Sequence, residues 1–365
     1  TDLARTRGPF INSEDGRQTS SRFLGVNRNK RSVSIDLRNS RCKQAFEELV
    51  RNSDVLVDNW GSGAFNRLGL GYQHLNEINP GLVYASITGY GDSEGLTGPY
   101  SARPANNLAI QAMSGWMEIT GDPDGPPQSV GDNIGDSIPG VWTALAIVLA
   151  LETRRQTGKG QYLDMAMYEC MVSHIESNMN FFQAIGSNPG RSKDRLATAG
   201  ITFKAKDGYV VLAGLRTETR MRDLWTLLGR NDLLEGDRRY LAGPGMDGQF
   251  YQDYVIPAIE LWSSQLGKFD VAAKLTEIGF SMGVTQTMED LDACPQLNAR
   301  QMFLETGDTL GGTFRGVKTP TRLTACVDAP TGAPPKLGEH NADILCSLGG
   351  MTAEEVAVLE AEGAI

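Results

Sequence analysis

Two short apolar runs constrain this chain more than any other feature: DVLV at 54–57 and LVYASIT at 82–88. Both are rich in β-branched residues and bounded by Asn, Gly or Pro, the pattern of parallel strands buried on both faces. Residues 66–78 between them carry a helix or turn, which suits the crossover that parallel strands require. Upstream, 33–37 alternates like a strand, and CKQAFEELVR at 42–51 sets Ala45, Phe46, Leu49 and Val50 on one helical face. Strand and helix thus alternate, which predicts a doubly wound α/β domain. The Gly-, Ser- and Pro-rich loop 89–104 then follows the carboxyl end of a strand, where open α/β sheets place ligands.

A chain of 365 residues exceeds the size at which one core keeps growing, so a second domain is expected. A helix is predicted over 106–119, then the turn-rich GDPDGPP (121–127) and GDNIGDSIPG (131–140). An apolar run at 138–151 is shorter than the roughly 20 residues that span a bilayer, so it is expected to be a buried helix. That helix runs to about Arg155 and stops at Gly158, with Pro139 in its first turn, where proline is tolerated. A strand at 161–167 and a helix at 168–184 follow, and GSNPGRSK (186–193) reads as a linker. Beyond it, 201–204 and 209–213 around the turn AKDG predict a β-hairpin. Helices are expected around 221–228, 254–266 and 270–278, completing a smaller α+β domain. Closing helices at 337–348 and 353–362 should pack back onto the first. The chain therefore divides into a large domain (1–188), a small one (189–317) and a returning segment (318–365).

The chemistry is bounded next. With 34 basic and 44 acidic residues the net charge is −10, which repels nucleic acid and anionic lipid. A small polyanion would need a local basic pocket. Cys42, Cys170, Cys294, Cys326 and Cys346 are odd in number and form no CxxC, which points to reduced thiols in a cytoplasmic setting. Only His74, His174 and His340 occur, and HExxH, a Cys/His ligand set and GxSxG are all missing. No metal site and no hydrolase is expected.

The cluster Arg28, Lys30, Arg31, Arg38, Arg41 and Lys43 is either a solvated basic face or a grip for phosphates. GSGAFNRLGLGY (61–72) lacks a GxGxxG or Walker pattern. Asp132 and Asp136 stand in Gly-rich sequence before the apolar helix, where two readings stand. One is a helix N-cap; the other is a nucleophilic carboxylate kept ionised by the helix N-terminus and reachable past small neighbours. Thr1 opens a polar stretch with no initiator Met, so the chain is expected to lack its natural beginning.

Six segments in order resemble one family: NRNKRSVSIDLR (27–38), DVLVDNWGSGAFNRLGLGY (54–72), NPGLVYASITGYG (79–91), GDSIPG (135–140), TGKGQYLDMAMYE (157–169) and KLGEHNADIL (336–345). They resemble the class III CoA-transferases, which include formyl-CoA and carnitine CoA-transferases, over nearly the whole chain. The resemblance implies a Rossmann-like large domain built from both chain ends, a small inserted domain, and an interlocked homodimer. It implies acyl-CoA and a small carboxylic acid as substrates, coenzyme A as the carried group, and no metal.

Asp136 matches the family's catalytic aspartate, which passes through mixed anhydrides and an aspartyl-CoA thioester. Such an exchange of one thioester for another needs neither metal nor ATP, and backbone N–H groups near Asp136 would stabilise the oxyanions. Carried over for coenzyme A are Ile35 and Arg38 near the nucleotide, Asn59 and Trp60 after the strand, Arg67 toward the phosphates, and Arg103 beside a basic position of the following loop. The family's racemases, which shift an α-proton, pair the aspartate with a histidine; Asn106 stands there and cannot shuttle a proton. A non-catalytic CoA-binding paralogue is the other alternative. The family's usual strand, helix and strand before the position of Thr1 are expected to be missing. In place of the glycine-run loop of the formyl-CoA transferases stands AGLRT (213–217), which argues against an oxalate-type acceptor.

Overall fold

The computed structural model describes residues 2–12, 17–191, 200–213, 217–242, 247–310, 312–326 and 332–365. Contacts group the chain into two compact units. One comprises Thr1–Pro104, Gly140–Ala166 and Asp290–Ile365, the other Ala105–Pro139 and Met167–Glu289. This grouping joins 105–139 and 167–188 to the smaller unit, whereas the sequence division kept them in 1–188. The strands are β1 (Phe10–Asn12), β2 (Gln18–Ser20), β3 (Val55–Asp58), β4 (Val83–Thr88), β5 (Gln161–Ala166), β6 (Ile201–Ala205), β7 (Gly208–Ala213), β8 (Ser281–Val284), β9 (Phe303–Gly307) and β10 (Thr313–Val317).

In the first unit β3, β4 and β5 form a parallel sheet in that order, with Val55 opposite Val83 and Tyr84 opposite Tyr162. The central β4 is buried along nearly its whole length, which is why Val83, Tyr84 and Ala85 put apolar side chains on both of its faces. Helices Ala64–Arg67 and Tyr72–Ile78 make the β3–β4 crossover and pack Phe65 and Leu75 with Leu82 and Tyr84. Helix Ser40–Arg51 starts where the Asn39 side chain accepts from the N–H groups of Arg41 and Cys42, and it buries Cys42, Ala45 and Val50. Ala45 clusters with Leu345 and Val356 of the closing helices Asn341–Ser347 and Ala353–Ala361. The chain's end thus returns to this unit. Two antiparallel hairpins, β1–β2 and β9–β10, complete it.

Two expectations are corrected here. Residues 33–37 are not a strand: 33–36 carry no regular structure and Leu37 begins a turn, because their hydrogen bonds go elsewhere than to a neighbouring strand. Ser32 N–H donates to His340 Nδ1 (3.2 Å), Ser34 N–H to Asn341 Oδ1 (2.7 Å) and Asp36 N–H to the Ala364 carbonyl (2.8 Å). The second correction concerns the apolar run, which belongs to a helix of 24 residues, Ile134–Thr157, closed by Gly158 at φ +74°. Only 22% of its most apolar 18-residue window is buried, and Val141, Leu145, Val148 and Leu149 face outward. By length and composition alone it could cross a membrane, but the core helix of a soluble protein passes the same test.

The second unit holds the antiparallel sheet β6–β7–β8, with Ile201 opposite Leu212 and Val210 opposite Val284. Alternate residues of β6 are buried, the pattern of a sheet with one face on a core. Helices Glu218–Leu227, Ile256–Ser263 and Lys268–Glu277 cover that face with Trp225, Ile259 and Leu275. The helix expected over 106–119 is Asn107–Met113, ended where the Ser114 hydroxyl donates to the Ile110 carbonyl (2.7 Å). The one expected over 168–184 is two helices, Met167–Ser173 and Glu176–Ile185. The end of the 186–193 linker and residues 214–216 of AGLRT lie outside the described residues.

Candidate active site

In the first unit a cavity of about 910 Å³ is walled by Ile35, Asn59 and Trp60, together with the cations Arg5, Lys30 and Arg31. Ile35 is set there by the segment whose Ser34 and Asp36 N–H groups are held by Asn341 and Ala364. Asn59 and Trp60 follow the carboxyl end of β3, where Asp58 Oδ1 accepts from Trp60 N–H at 3.3 Å. The Trp60 ring rests 5.0 Å from Phe65 and is 60% exposed, an open aromatic face beside cationic side chains. That combination suits a flat heterocycle carrying phosphates. A second cavity, about 630 Å³, is walled by Asp58, Asp92 and Glu94 with Tyr84 and Tyr162, and its like charges disfavour a polyanion.

Arg38, Arg67 and Arg103 do not line the first cavity. Exposed Arg38 grips Asp36 with two bonds (2.9 and 2.8 Å), which pushes the Asp36 carboxyl down to about 2. Arg67 donates to the Ser62 carbonyl (3.2 Å), and the Arg103 guanidinium lies 4.1 Å from the Tyr100 ring centre. Most of the basic cluster is engaged within the chain. Arg31 pairs with Asp343 and Arg41 with Glu362, while Lys43 and Arg28 donate to the carbonyls of Leu68 and Val317. Arg5, which sequence reasoning passed over, stacks 3.8 Å from the Phe23 ring centre and reaches the cavity. Its position in a polar stretch gave no signal.

Asp136 lies in the second unit, third in the long helix rather than at its cap. The Asn133 carbonyl accepts from the N–H groups of Asp136 (3.0 Å) and Ser137 (2.8 Å). Among the described residues nothing hydrogen-bonds the Asp136 carboxylate. Its surface is open, yet surrounding protein displaces enough water to push the carboxyl above its ordinary range. It is thus a free, more basic carboxylate in the positive first turn of a helix. Asp132 is spent locally, its Oδ1 accepting from Asn133 N–H at 2.7 Å. Asn106 is the cap of the neighbouring helix, its Oδ1 accepting from Ala109 N–H at 3.0 Å. Among the described residues no group of three His, Cys, Asp or Glu could hold a metal ion.

The family model described as CoA-transferase family III matches residues 1–341. The chain is 32% identical to the succinyl-CoA:mesaconate CoA-transferase of Haloarcula hispanica, across 95% of this chain and 87% of that protein. It is 31% identical to the formyl-CoA:oxalate CoA-transferase of Streptomyces avermitilis, across 94% and 86%. A crystal structure of a CaiB/BaiF family protein from Brucella suis superposes with a TM-score of 0.83 at 34% identity, covering 95% of this chain and 89% of that one.

Proposed function

The chain belongs to CoA-transferase family III, and from that premise we propose that it moves coenzyme A from an acyl-CoA to a carboxylic acid by covalent catalysis on Asp136. The observation that carries this reading is the Asp136 carboxylate, with no side-chain partner among the described residues and at the start of a helix. A carboxylate Oδ attacks the thioester carbonyl and expels CoA thiolate, leaving a mixed anhydride. The thiolate attacks the Asp136 carbonyl and expels the donor carboxylate, which gives the aspartyl-CoA thioester. The acceptor carboxylate attacks the same carbonyl and expels thiolate, forming a second anhydride. Finally the thiolate takes the acceptor's acyl carbon and frees Asp136. Overall one thioester is exchanged for another, so the reaction needs no energy input, and desolvation and oriented N–H groups lower the climb to the anhydrides.

In this reading the nucleotide of coenzyme A occupies the cavity walled by Ile35, Asn59 and Trp60, with Lys30 and Arg31 facing its phosphates. Arg38, Arg67 and Arg103 contribute once bound phosphate replaces their present partners. Racemisation is disfavoured, since Asn106 is both unable to shuttle a proton and engaged as a helix cap. The exposed stripe Val141, Leu145, Val148 and Leu149 supports a homodimer, interlocked as in the family, and the reading includes a cytoplasmic location. Asp136→Ala is expected to abolish transfer while leaving the circular dichroism spectrum unchanged. Intact mass after incubation with acyl-CoA should show an adduct on wild type alone. Transfer that persists in the variant would remove Asp136 from the mechanism.

A further inference from the structure

Behind the first turn of the long helix lies a polar network wholly within residues 105–139. Gln111 is completely buried, a costly place for an amide unless each of its groups is paired. Its Oε1 accepts from Val130 N–H (2.9 Å), and its Nε2 donates to Asn107 Oδ1 (3.0 Å) and the Asp132 carbonyl (3.3 Å). These partners fix the amide's orientation, since a flipped amide would set NH₂ against the Val130 N–H. Asn107 Oδ1 also accepts from Gly135 N–H (2.9 Å), and Asn107 Nδ2 donates to Asn133 Oδ1 (3.3 Å).

Gly135 precedes Asp136, and the Asn133 carbonyl receives the N–H of Asp136 itself. A side chain on the neighbouring helix therefore holds the peptide N–H just before Asp136 and also the side chain of Asn133, the residue whose carbonyl takes the Asp136 N–H. The approach is close enough to require glycine, because a Cβ on residue 135 would lie 2.6 Å from the Asn107 carbonyl oxygen. An N–H at a helix start is ordinarily satisfied by the helix's own cap. Here one is satisfied from outside, by a residue that a buried glutamine aims.

We propose that Asn107, oriented by Gln111, is a positioning residue for Asp136, and this rests on the reading of Asp136 as nucleophile. Gln111 orients Asn107 Oδ1; Asn107 orients the Gly135 peptide; that peptide sets where the carboxylate meets the thioester carbon. A nucleophile displaced by an ångström loses about 10²-fold in rate without losing substrate affinity.

The test uses the whole chain with an acyl-CoA and acid pair that wild type turns over. Asn107→Ala is expected to lower kcat by about 10- to 100-fold with KM for the acyl-CoA unchanged. Asn107→Asp keeps the acceptor toward Gly135 and Gln111, so it should recover most of that loss. It should also shift the acidic limb of the kcat–pH profile upward, because a second carboxylate near Asp136 disfavours its ionisation. A merely structural role would lower kcat and thermal stability together and leave the pH limb in place, and that result would overturn the proposal. So would full activity of Asn107→Ala. Asp136→Ala run in parallel separates the two readings. If it stays active the nucleophile is misassigned; if it is dead while Asn107→Ala is normal, only the positioning role fails.

Discussion

At the scale of single residues, a carboxylate in a helix's first turn is pulled two ways. The helix dipole favours its ionised form, and desolvation favours the neutral one; at Asp136 desolvation prevails. A raised folded-state value means the folded chain binds this proton more tightly than the unfolded chain does. The group therefore favours folding at low pH, and that contribution is lost as pH rises through the raised value. At neutral pH the ionised Asp136 is then a net cost, as expected for a group kept for reactivity rather than stability. Asp136→Asn is predicted to melt higher than wild type at neutral pH, with the advantage shrinking as acid protonates the wild-type carboxyl. Calorimetric melting across pH checks this, and an advantage that grows toward acid would contradict it. The sequence showed where Asp136 stands but not this balance, which depends on atoms brought near it by folding. The basic cluster was similarly legible as residues and illegible as a site. Arg31 and Arg41 find their carboxylates at Asp343 and Glu362, near the chain's far end.

Elements formed where periodicity and punctuation agreed. The β3 and β4 runs, the Ser40–Arg51 helix with its Asn39 cap and the β6–β7 hairpin all follow from local sequence. Residues 33–37 did not, because the partners of Ser32, Ser34 and Asp36 come from His340, Asn341 and Ala364. Alternation marks an extended backbone, not what that backbone bonds to. The hairpin β9–β10 and the strand β8 went unread because each run is only four or five residues long and holds a glycine, which weakens the strand signal. The pinned segment yields a prediction of its own. Buried Asn341 accepts from Ser34 N–H, one residue from Ile35 on the cavity wall. Asn341→Ala leaves that N–H unpaired, which should cost about 1–3 kcal/mol of stability. It should also raise KM for acyl-CoA with little change in kcat. Denaturant unfolding and steady-state kinetics check the two halves, and Asn341→Asp, which keeps the acceptor, should restore both.

At the scale of the whole molecule, the outward stripe of the long helix bears on assembly. Val141, Leu145, Val148 and Leu149 recur at three- and four-residue spacing, so they share one face. Residues of this kind are ordinarily packed against something, and a contiguous exposed apolar patch marks an interaction surface. The expectation of a buried helix rested on the same apolar content, and burial within one chain is where it failed. A second copy would reconcile the two. Leu145→Glu places a charge in the middle of the stripe, where desolvating it against an apolar partner face is unfavourable. Light scattering after size exclusion should give the dimer mass for wild type at micromolar concentration, and Leu145→Glu, refolded from denaturant so that its chains are not already threaded through each other, should give the monomer mass. A wild type that runs as a monomer would dissociate the stripe from self-association. An unchanged dimer in Leu145→Glu would move the interface to another face.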